Sequence, residues 1–163
     1  MKNMMKRSFL ILISLFWMGV IFYMSHQNGE ESSNVSNKVT KLFLELFYKE
    51  YHLLDVSQQL ILFENTSYII RKLSHFIEYF LLGSFIFFLI KEFTKKDSIL
   101  YSISISLSIL YAITDEIHQS FVGGRSPMIK DVLIDALGAI SAILCMRIIL
   151  NSIRIIKKGK KYD

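Results

Sequence analysis

Acidic, basic and imidazole side chains gather at the ends of strongly apolar stretches of this chain. The sequence "TDEIHQS", residues 114–120, closes one such stretch and holds two acids, an imidazole and an amide. Another stretch begins with Lys72, His75 and Glu78, and a third begins with a pair of aspartates. Ionisable groups in such positions bind a charged ligand, hold a metal ion or transfer a proton. Ligand binding, metal binding and proton transfer are therefore the three kinds of chemistry that these side chains could perform.

Within each stretch the polar residues recur every three or four positions, which places them on one face of a helix. The three faces comprise Lys72, His75, Glu78 and Tyr79; Asp115, His118 and Gln119; and Asp131, Asp135 and Gly138. A charged side chain at the centre of a membrane helix costs about 2.5–3.5 kcal/mol. Glu78 and Asp135, the deepest, are therefore expected to face other helices. Gly138 has an expected structural role, since with Ala142 it lets its helix pack closely.

The charges of these faces favour a ligand pocket. Lys72 and Arg125 supply positive charge suited to a phosphate or carboxylate, and Arg125 can donate as a two-pronged fork. The carboxylates outnumber these cations, so some are expected to pair with them, some to be protonated, and any surplus to suit a cation. The alternative is that the polar residues only hold helices in register, and for Arg71, Lys130 and Glu116 taken singly that interpretation is preferred.

A metal site remains an alternative. His75-x-x-Glu78 and Asp115-x-x-His118 each put an imidazole and a carboxylate on one helix face, as in helical di-metal proteins. The signal is weak, because two such pairs arise easily by chance. No cofactor is expected, and a divalent metal at these four residues stays open. The same four are the candidate catalytic groups if the protein is an enzyme.

The elements that carry these residues are predicted to be membrane helices. Of 163 residues, 52% are hydrophobic, and the mean hydropathy of +0.40 is high for a soluble domain. Four apolar runs are each about long enough to cross a bilayer, which takes roughly 17–25 helical residues. The predicted spans are about 8–25, 69–90, 98–119 and 130–150. We predict one all-α domain, residues 1–163, with four transmembrane helices in the cell membrane. The run "YSISISLS" alternates like a strand, but serines in a membrane helix can bond their own upstream carbonyls.

Basic residues predict the orientation of the spans. They precede the first span, fill the short second loop and close the chain in the tail, residues 151–163. The positive-inside rule therefore puts both termini in the cytoplasm and the polar helix ends outside. The net charge of +5 follows from this topology. A tail held against anionic lipid is preferred over a nucleic-acid partner, and no nucleic acid is expected.

The predicted outer loop, residues 26–68, contains an amphipathic segment. It opens with the polar run "SHQNGEESSNVSNK", which has loop composition. From Val39 to Phe47, apolar residues fall at helical spacing. This extracytoplasmic helix either lies on the outer membrane surface or packs against other helices. The run "DVSQQLILFENTSY" predicts a short second helix.

Three ordered motifs carry a family resemblance. "KLSHFIEYFLLG" (72–83), "DEIHQSFVGGR" (115–125) and "DVLIDALGA" (131–139) resemble the VanZ-like family of bacterial membrane proteins, as does "SHQ" at 25–27. The resemblance extends from about the first helix to Leu150. It implies a four-helix membrane fold and a link with teicoplanin resistance, and it implies no mechanism. Many members have a proline where this chain has Gly123 or Gly124, so the loop presenting Arg125 is expected to be more mobile.

Together the helix faces and the motif positions define the predicted ligand-binding residues. They are Lys72, His75, Glu78, Tyr79, Asp115, Glu116, Gln119, Arg125, Asp131 and Asp135. The leading hypothesis is an outer-face pocket that binds an envelope lipid, a lipid-linked precursor or a lipoglycopeptide and lowers teicoplanin susceptibility. A second is a membrane-embedded hydrolase or transferase acting on a lipid or cell-wall precursor. A third is a structural helix bundle whose partners bind through the first loop.

Overall fold

Helices make up all the regular structure of the chain across residues 2–159, the part that the computed structural model describes. They are α1 (Lys2–His26), α2 (Gly29–Phe47), α3 (Val56–Lys91), α4 (Asp97–Gln119) and α5 (Ile129–Gly159), with a 3-10 turn at Tyr51–Leu53. Among these, α1, α3, α4 and α5 contain stretches long and apolar enough to cross a membrane. The predicted all-α protein with four candidate spans is confirmed, and "YSISISLS" is helical.

The first interhelical segment is more ordered than its composition predicted. The polar run was expected to be a loop, but α2 begins at Gly29. The Asn28 side chain accepts a hydrogen bond of 2.8 Å from the Glu31 amide, and Glu31 accepts one of 3.2 Å from the Asn28 amide. This reciprocal capping box satisfies amides that a helix start otherwise leaves bare.

The helix α3 is a single element of 36 residues. A separate short helix was predicted before the second span, and this prediction is wrong. Asp55 caps the start of α3 by accepting a 2.9 Å hydrogen bond from the Gln58 amide. No proline interrupts the run that follows, so the helix continues for about 54 Å at 1.5 Å per residue. The helix α5 likewise continues past residue 150 to Gly159, so the predicted tail is helical as far as it is described; residues 160–163 lie outside the described part.

The helix α3 is the centre of the bundle, with α1, α2, α4 and α5 all packed against it. Small residues permit the closest contacts. A Cβ on Gly138 would lie 2.3 Å from the Phe76 carbonyl oxygen, so α5 approaches the backbone of α3 directly, as the small residue led us to expect. On α4 the buried Ser108 hydroxyl donates to the Ser104 carbonyl at 2.9 Å, which satisfies a polar group within the helix.

Ion pairs and a hydrogen bond join the helices at the end of the bundle where α1 begins. Lys6 Nζ lies 2.5 Å from Glu92 Oε1, and Arg7 donates to the Glu92 carbonyl at 2.8 Å. Arg154 Nη1 lies 3.4 Å from Asp97 Oδ2. The start of α1, the α3–α4 turn and the late part of α5 therefore share one end. The opposite end, here called the polar end, contains the end of α1, the α4–α5 loop and the start of α5.

The helix α2 packs against the first half of α3 through small and polar residues. Ser36, Thr40 and Leu44 are its buried residues, and Ser67 on α3 donates to Asn37 Oδ1 at 3.0 Å. The apolar residues that defined its amphipathic pattern remain exposed on another face. Packing against a helix, one of the two predicted arrangements, is thus observed, while the apolar face of α2 is left uncovered by the residues that the structure describes.

Candidate functional site

The polar end collects the predicted ligand-binding residues from four segments. The helix α3 supplies Lys72, His75, Glu78 and Tyr79; α4 supplies Asp115, Glu116 and Gln119; the α4–α5 loop supplies Arg125; and α5 supplies Asp131 and Asp135. The three-to-four spacing of each set explains why whole groups, rather than single residues, reach the same place.

A buried hydrogen-bond chain links α1, α4 and the loop. The Ser25 hydroxyl donates to Asp115 Oδ2 at 2.9 Å, and Gln119 Nε2 donates to the same oxygen at 3.1 Å. The other end of the Gln119 amide accepts a 3.1 Å hydrogen bond from Arg125 Nη1. Ser25 of "SHQ" and Asp115 and Gln119 of "DEIHQ" therefore form one hydrogen-bonded chain with Arg125, in which Asp115 accepts twice and Gln119 links Asp115 to Arg125.

The guanidinium of Arg125 is anchored by the end of α1. Its Nε donates to the Gln27 carbonyl at 3.1 Å and its Nη2 to the Met24 carbonyl at 3.0 Å. Burial lowers the pKa of Arg125, and the nearby Asp115 carboxylate opposes that change. The glycines led us to expect a mobile loop here. In the structure, the loop is bonded to the end of α1 through Arg125 and to α2 through a 3.1 Å hydrogen bond from the Gly29 amide to the Gly123 carbonyl.

Two acid–base pairs join α3 to α5. Lys72 forms an ion pair with Asp131 Oδ1, and only 12% and 10% of the two side chains are exposed. One turn deeper, His75 Nδ1 lies 3.5 Å from Asp135 Oδ1. This distance is an ion-pair distance when the imidazole is protonated, but it is long for a hydrogen bond.

Several buried polar atoms of the site have no hydrogen-bond partner among the described residues. Asp135 is fully buried and both its carboxyl oxygens are unpartnered, as are Asp115 Oδ1 and the Tyr79 hydroxyl. Most buried polar groups in folded proteins are paired, and ionisable groups inside membrane helices typically mark functional sites. The interior of this cluster is therefore a candidate for a functional site.

Two adjoining cavities open from this cluster. The larger is about 220 Å³ and touches Lys72, Asp131 and Gln119. The smaller is about 100 Å³ and lies between α2, α3 and the end of α1, with Glu78 in its wall. Both cavities share the side chains of Ser32, Arg71, His75 and Arg125.

Arg71 is a site residue that the sequence did not single out. Taken alone, it was interpreted as an interfacial residue. In the structure it lines both cavities, and its Nε is buried without a hydrogen-bond partner among the described residues. Its spacing in the sequence could have identified it, because Arg71, His75 and Glu78 are three to four residues apart and therefore lie on one helix face.

His118 and Glu116 lie apart from the cavities. His118 Nε2 is 3.3 Å from His26 Nδ1, and its ring stacks on Phe22 with centroids 4.4 Å apart. His118 therefore contacts α1 and is not gathered with His75 and Glu78. Glu116 is buried and accepts a 2.5 Å hydrogen bond from the Met128 amide, which ties the loop to α4.

The predicted metal set is not assembled in the described part of the chain. Across residues 2–159, no group of three or more His, Cys, Asp or Glu side chains is arranged to hold a metal ion. The physical reason within the predicted set is the position of His118, whose ring lies against Phe22 and His26.

The comparisons with known proteins agree with this architecture. Residues 9–150, most of the chain, match the VanZ/LLP1 family model. A search of curated proteins found no match, and a search of solved structures found none either. The matched region contains all three sequence motifs, both cavities, the whole of α3 and α4 and most of α1 and α5, and on that match the chain belongs to the VanZ/LLP1 family.

Proposed function

We propose that this VanZ-like protein is a multi-pass cell-membrane protein that binds the anionic, phosphate-bearing headgroup of an envelope lipid or lipid-linked precursor at its polar end. One observation carries the proposal: three cationic side chains, Arg71, Lys72 and Arg125, line one cavity. Lys72 is neutralised by Asp131, whereas the buried Nε of Arg71 has no partner among the described residues. A guanidinium with unused donors suits a phosphate.

The proposed orientation puts this site on the outer face. The opposite end of the bundle holds Lys6, Arg7 and Arg154, all in contact with acidic partners or carbonyls of the α3–α4 turn. By the positive-inside rule that end is cytoplasmic, with both termini there. A site on the outer face would be open to envelope lipids, to lipid-linked precursors and to the lipoglycopeptide itself. Lower teicoplanin susceptibility is the consequence we propose.

The proposal is tested by identifying the lipid that the protein retains. Mass spectrometry of the protein extracted in mild detergent is expected to find a phosphate-bearing lipid on the wild-type chain and to lose it in Arg71→Ala. Arg154→Ala is the matched control, because it removes an arginine that is 3.4 Å from Asp97 at the far end. Equal lipid retention by both variants, at equal insertion, would overturn the proposal. Teicoplanin susceptibility of cells making the three proteins then tests the physiological part.

A second candidate function is hydrolysis or transfer at the same site. Its specific support is His75, which lines both cavities while Asp135 lies behind its Nδ1. A carboxylate on the Nδ1 side of an imidazole leaves the other ring nitrogen, Nε2, for acid–base work. If the protein is an enzyme, His75→Gln abolishes turnover of the retained lipid, and His26→Gln does not. If the wild-type protein returns the lipid unchanged after long incubation, this candidate fails.

A further inference from the structure

A line of exposed apolar side chains leads away from the smaller cavity along α2. Val35, Val39, Leu42 and Leu46 recur at helical spacing, and 48–62% of each residue is exposed. Val35 and Val39 also line the cavity itself. From Val35 to Leu46 the line, here called the α2 stripe, extends for about 16 Å at the helical rise. It therefore begins at the cationic site and ends near the far end of α2.

Within residues 2–159, no other helix covers the α2 stripe. The face of α2 that packs against α3 is formed by Ser36, Thr40 and Leu44. In a helix pair within or beside lipid, small and polar residues commonly form the contact while apolar residues face hydrocarbon. The α2 stripe thus has the position and composition of a surface for a hydrocarbon chain.

The two cavities differ in chemistry on either side of the shared arginines. The smaller combines Arg71 and Arg125 with Val35, Val39 and Ile70. The larger has no such branched aliphatic lining and is bordered by polar groups, among them Lys72, Gln119 and Ser126. One side of the cationic pair is therefore suited to hydrocarbon and the other to a hydroxyl-rich or amide-rich headgroup.

We infer that the site takes an amphiphile whose phosphate lies on Arg71 and Arg125, whose polar headgroup enters the larger cavity and whose hydrocarbon tail leaves through the smaller cavity along the α2 stripe. This inference rests on the proposed function and adds the substrate class. The smaller cavity holds about 100 Å³. Since an apolar cavity of about 150 Å³ holds one benzene molecule, this is room for a short length of chain only. The remainder of the tail runs over the exposed stripe.

The intrinsic fluorescence of the protein offers a direct readout of binding. Trp17 is the one tryptophan of the chain, and its Nε1 donates a 2.9 Å hydrogen bond to the Glu78 carbonyl. Glu78 lines the smaller cavity, so the indole is one residue away from the proposed ligand. The full-length protein in nanodiscs of uncharged lipid is titrated with inorganic phosphate and with octyl phosphate below its micelle concentration. Octyl phosphate is expected to bind about tenfold more tightly or better, which is the effect of roughly two fully buried methylene groups.

Variants separate the tail surface from the phosphate site. Leu42→Gln with Leu46→Gln, both on the α2 stripe outside the two cavities, is expected to bring the affinity for octyl phosphate toward that for inorganic phosphate while leaving the affinity for inorganic phosphate unchanged, which also shows that the fold is intact. Ile61→Gln is the matched control, since Ile61 is 60% exposed and lies on α3 outside both cavities. Equal affinities of the two probes for the wild-type protein, or an unchanged octyl preference in the double variant, would overturn the inference while leaving the phosphate site standing.

Two other results would contradict the proposed function itself. Either neither probe binds the wild-type protein, or the Arg71→Ala variant binds both probes as tightly as the wild-type protein does. Two natural tail chemistries are then distinguished with a phosphatidylglycerol and a polyisoprenyl phosphate as competitors of octyl phosphate. Displacement by either one at lower concentration than inorganic phosphate supports the inference and identifies the tail. Displacement by neither contradicts it.

Discussion

Gly29 at the start of α2 lies directly against Gly124 of the α4–α5 loop. A Cβ on Gly29 would lie 2.1 Å from the Gly124 carbonyl oxygen, and Gly124 itself has a φ of 74°. The contact is between backbones, so no side chain can move aside to relieve a clash. It places α2 against the loop that presents Arg125, and it therefore joins the α2 stripe to the cationic site.

Gly29→Ala is expected to separate these two elements. The added methyl group must displace the loop, at a cost of about 1–3 kcal/mol in unfolding free energy, typical of overpacking. Phosphate binding should weaken with it, because Arg125 follows Gly124 in the chain. Gly19→Ala is the control, since a Cβ there meets nothing within 4 Å. Thermal unfolding and Trp17 fluorescence measure both effects; a Gly29→Ala protein equal to Gly19→Ala in both would show that the loop tolerates displacement.

The Lys72–Asp131 pair is expected to show strong coupling. Lys72→Met alone leaves the buried Asp131 without its counterion, which should lower the unfolding free energy by about 3–5 kcal/mol. Adding Asp131→Asn removes the unpaired charge and should restore much of that loss. A double-mutant cycle in detergent and denaturant measures the coupling directly. Additive effects of the two substitutions would mean that the pair is solvated and contributes little.

Arg125→Lys is expected to behave as a loss of function despite the retained charge. A lysine ammonium cannot reach the Met24 carbonyl, the Gln27 carbonyl and Gln119 Oε1 together, as the guanidinium does. Each lost hydrogen bond to a charged donor contributes about 1.5–3 kcal/mol, so both stability and phosphate affinity should fall. Arg154→Lys provides the comparison at an exposed pair and should remain within about 0.5 kcal/mol of wild type. Full phosphate affinity in Arg125→Lys would refute the anchoring role.

The start of α3 is expected to be sensitive to acid through Asp55. The Ser57 hydroxyl, at 2.6 Å, and the Gln58 amide hold the pKa of Asp55 below its ordinary value of 3.8. The stabilisation is therefore complete above that ordinary value and is lost as the pH falls through the lower value of the folded protein. Hydrogen exchange at residues 57–60, corrected for intrinsic rates, should rise below pH 3.8 in the wild type. The Asp55→Asn variant is the control, because asparagine can cap the helix but does not titrate. A similar rise in hydrogen exchange in this variant below pH 3.8 would show that another group causes the acid sensitivity.

The number of long helices and the contents of the polar end could be predicted from the sequence. An apolar run long enough to cross a bilayer must be helical there, because its backbone has no other hydrogen-bond partners. Ionisable residues spaced three to four apart then lie on one face of that helix. Asp115 and Gln119 reach the Arg125 network for that reason. The match to the family model covers the same segments and confirms the resemblance.

Helix boundaries in the first interhelical segment were not predictable from hydrophobic periodicity. The start of α2 depends on the capping box of Asn28 and Glu31, a signal of hydrogen bonding rather than of hydropathy. The unbroken α3 depends on the absence of a helix-terminating residue between Val56 and the apolar span. A composition typical of loops was thus outweighed at α2 by the capping hydrogen bonds, and the predicted short helix before the second span is the first part of α3.

The choice between neighbouring polar residues was also beyond sequence reasoning. Spacing specifies which residues share a helix face but not how the helix is rotated against its neighbours. Arg71 was given an interfacial role and lines both cavities, while His118 was given a site role and stacks on Phe22. The lack of hydrogen-bond partners for the Asp135 oxygens depends on how α3 and α5 pack together, which the spacing of residues in the sequence does not indicate.

The continuity of α3 has a mechanical consequence for the molecule. Its first half supports α2 through Ser67, and its middle presents Arg71 and His75, with no joint between them. A helix of about 54 Å exceeds the roughly 30 Å of bilayer hydrocarbon, so one rigid rod extends through two environments. A tilt of α2 relative to the rest of the bundle must therefore reach Arg71 through the continuous backbone of α3, unless hydrogen bonds within that helix break along the way.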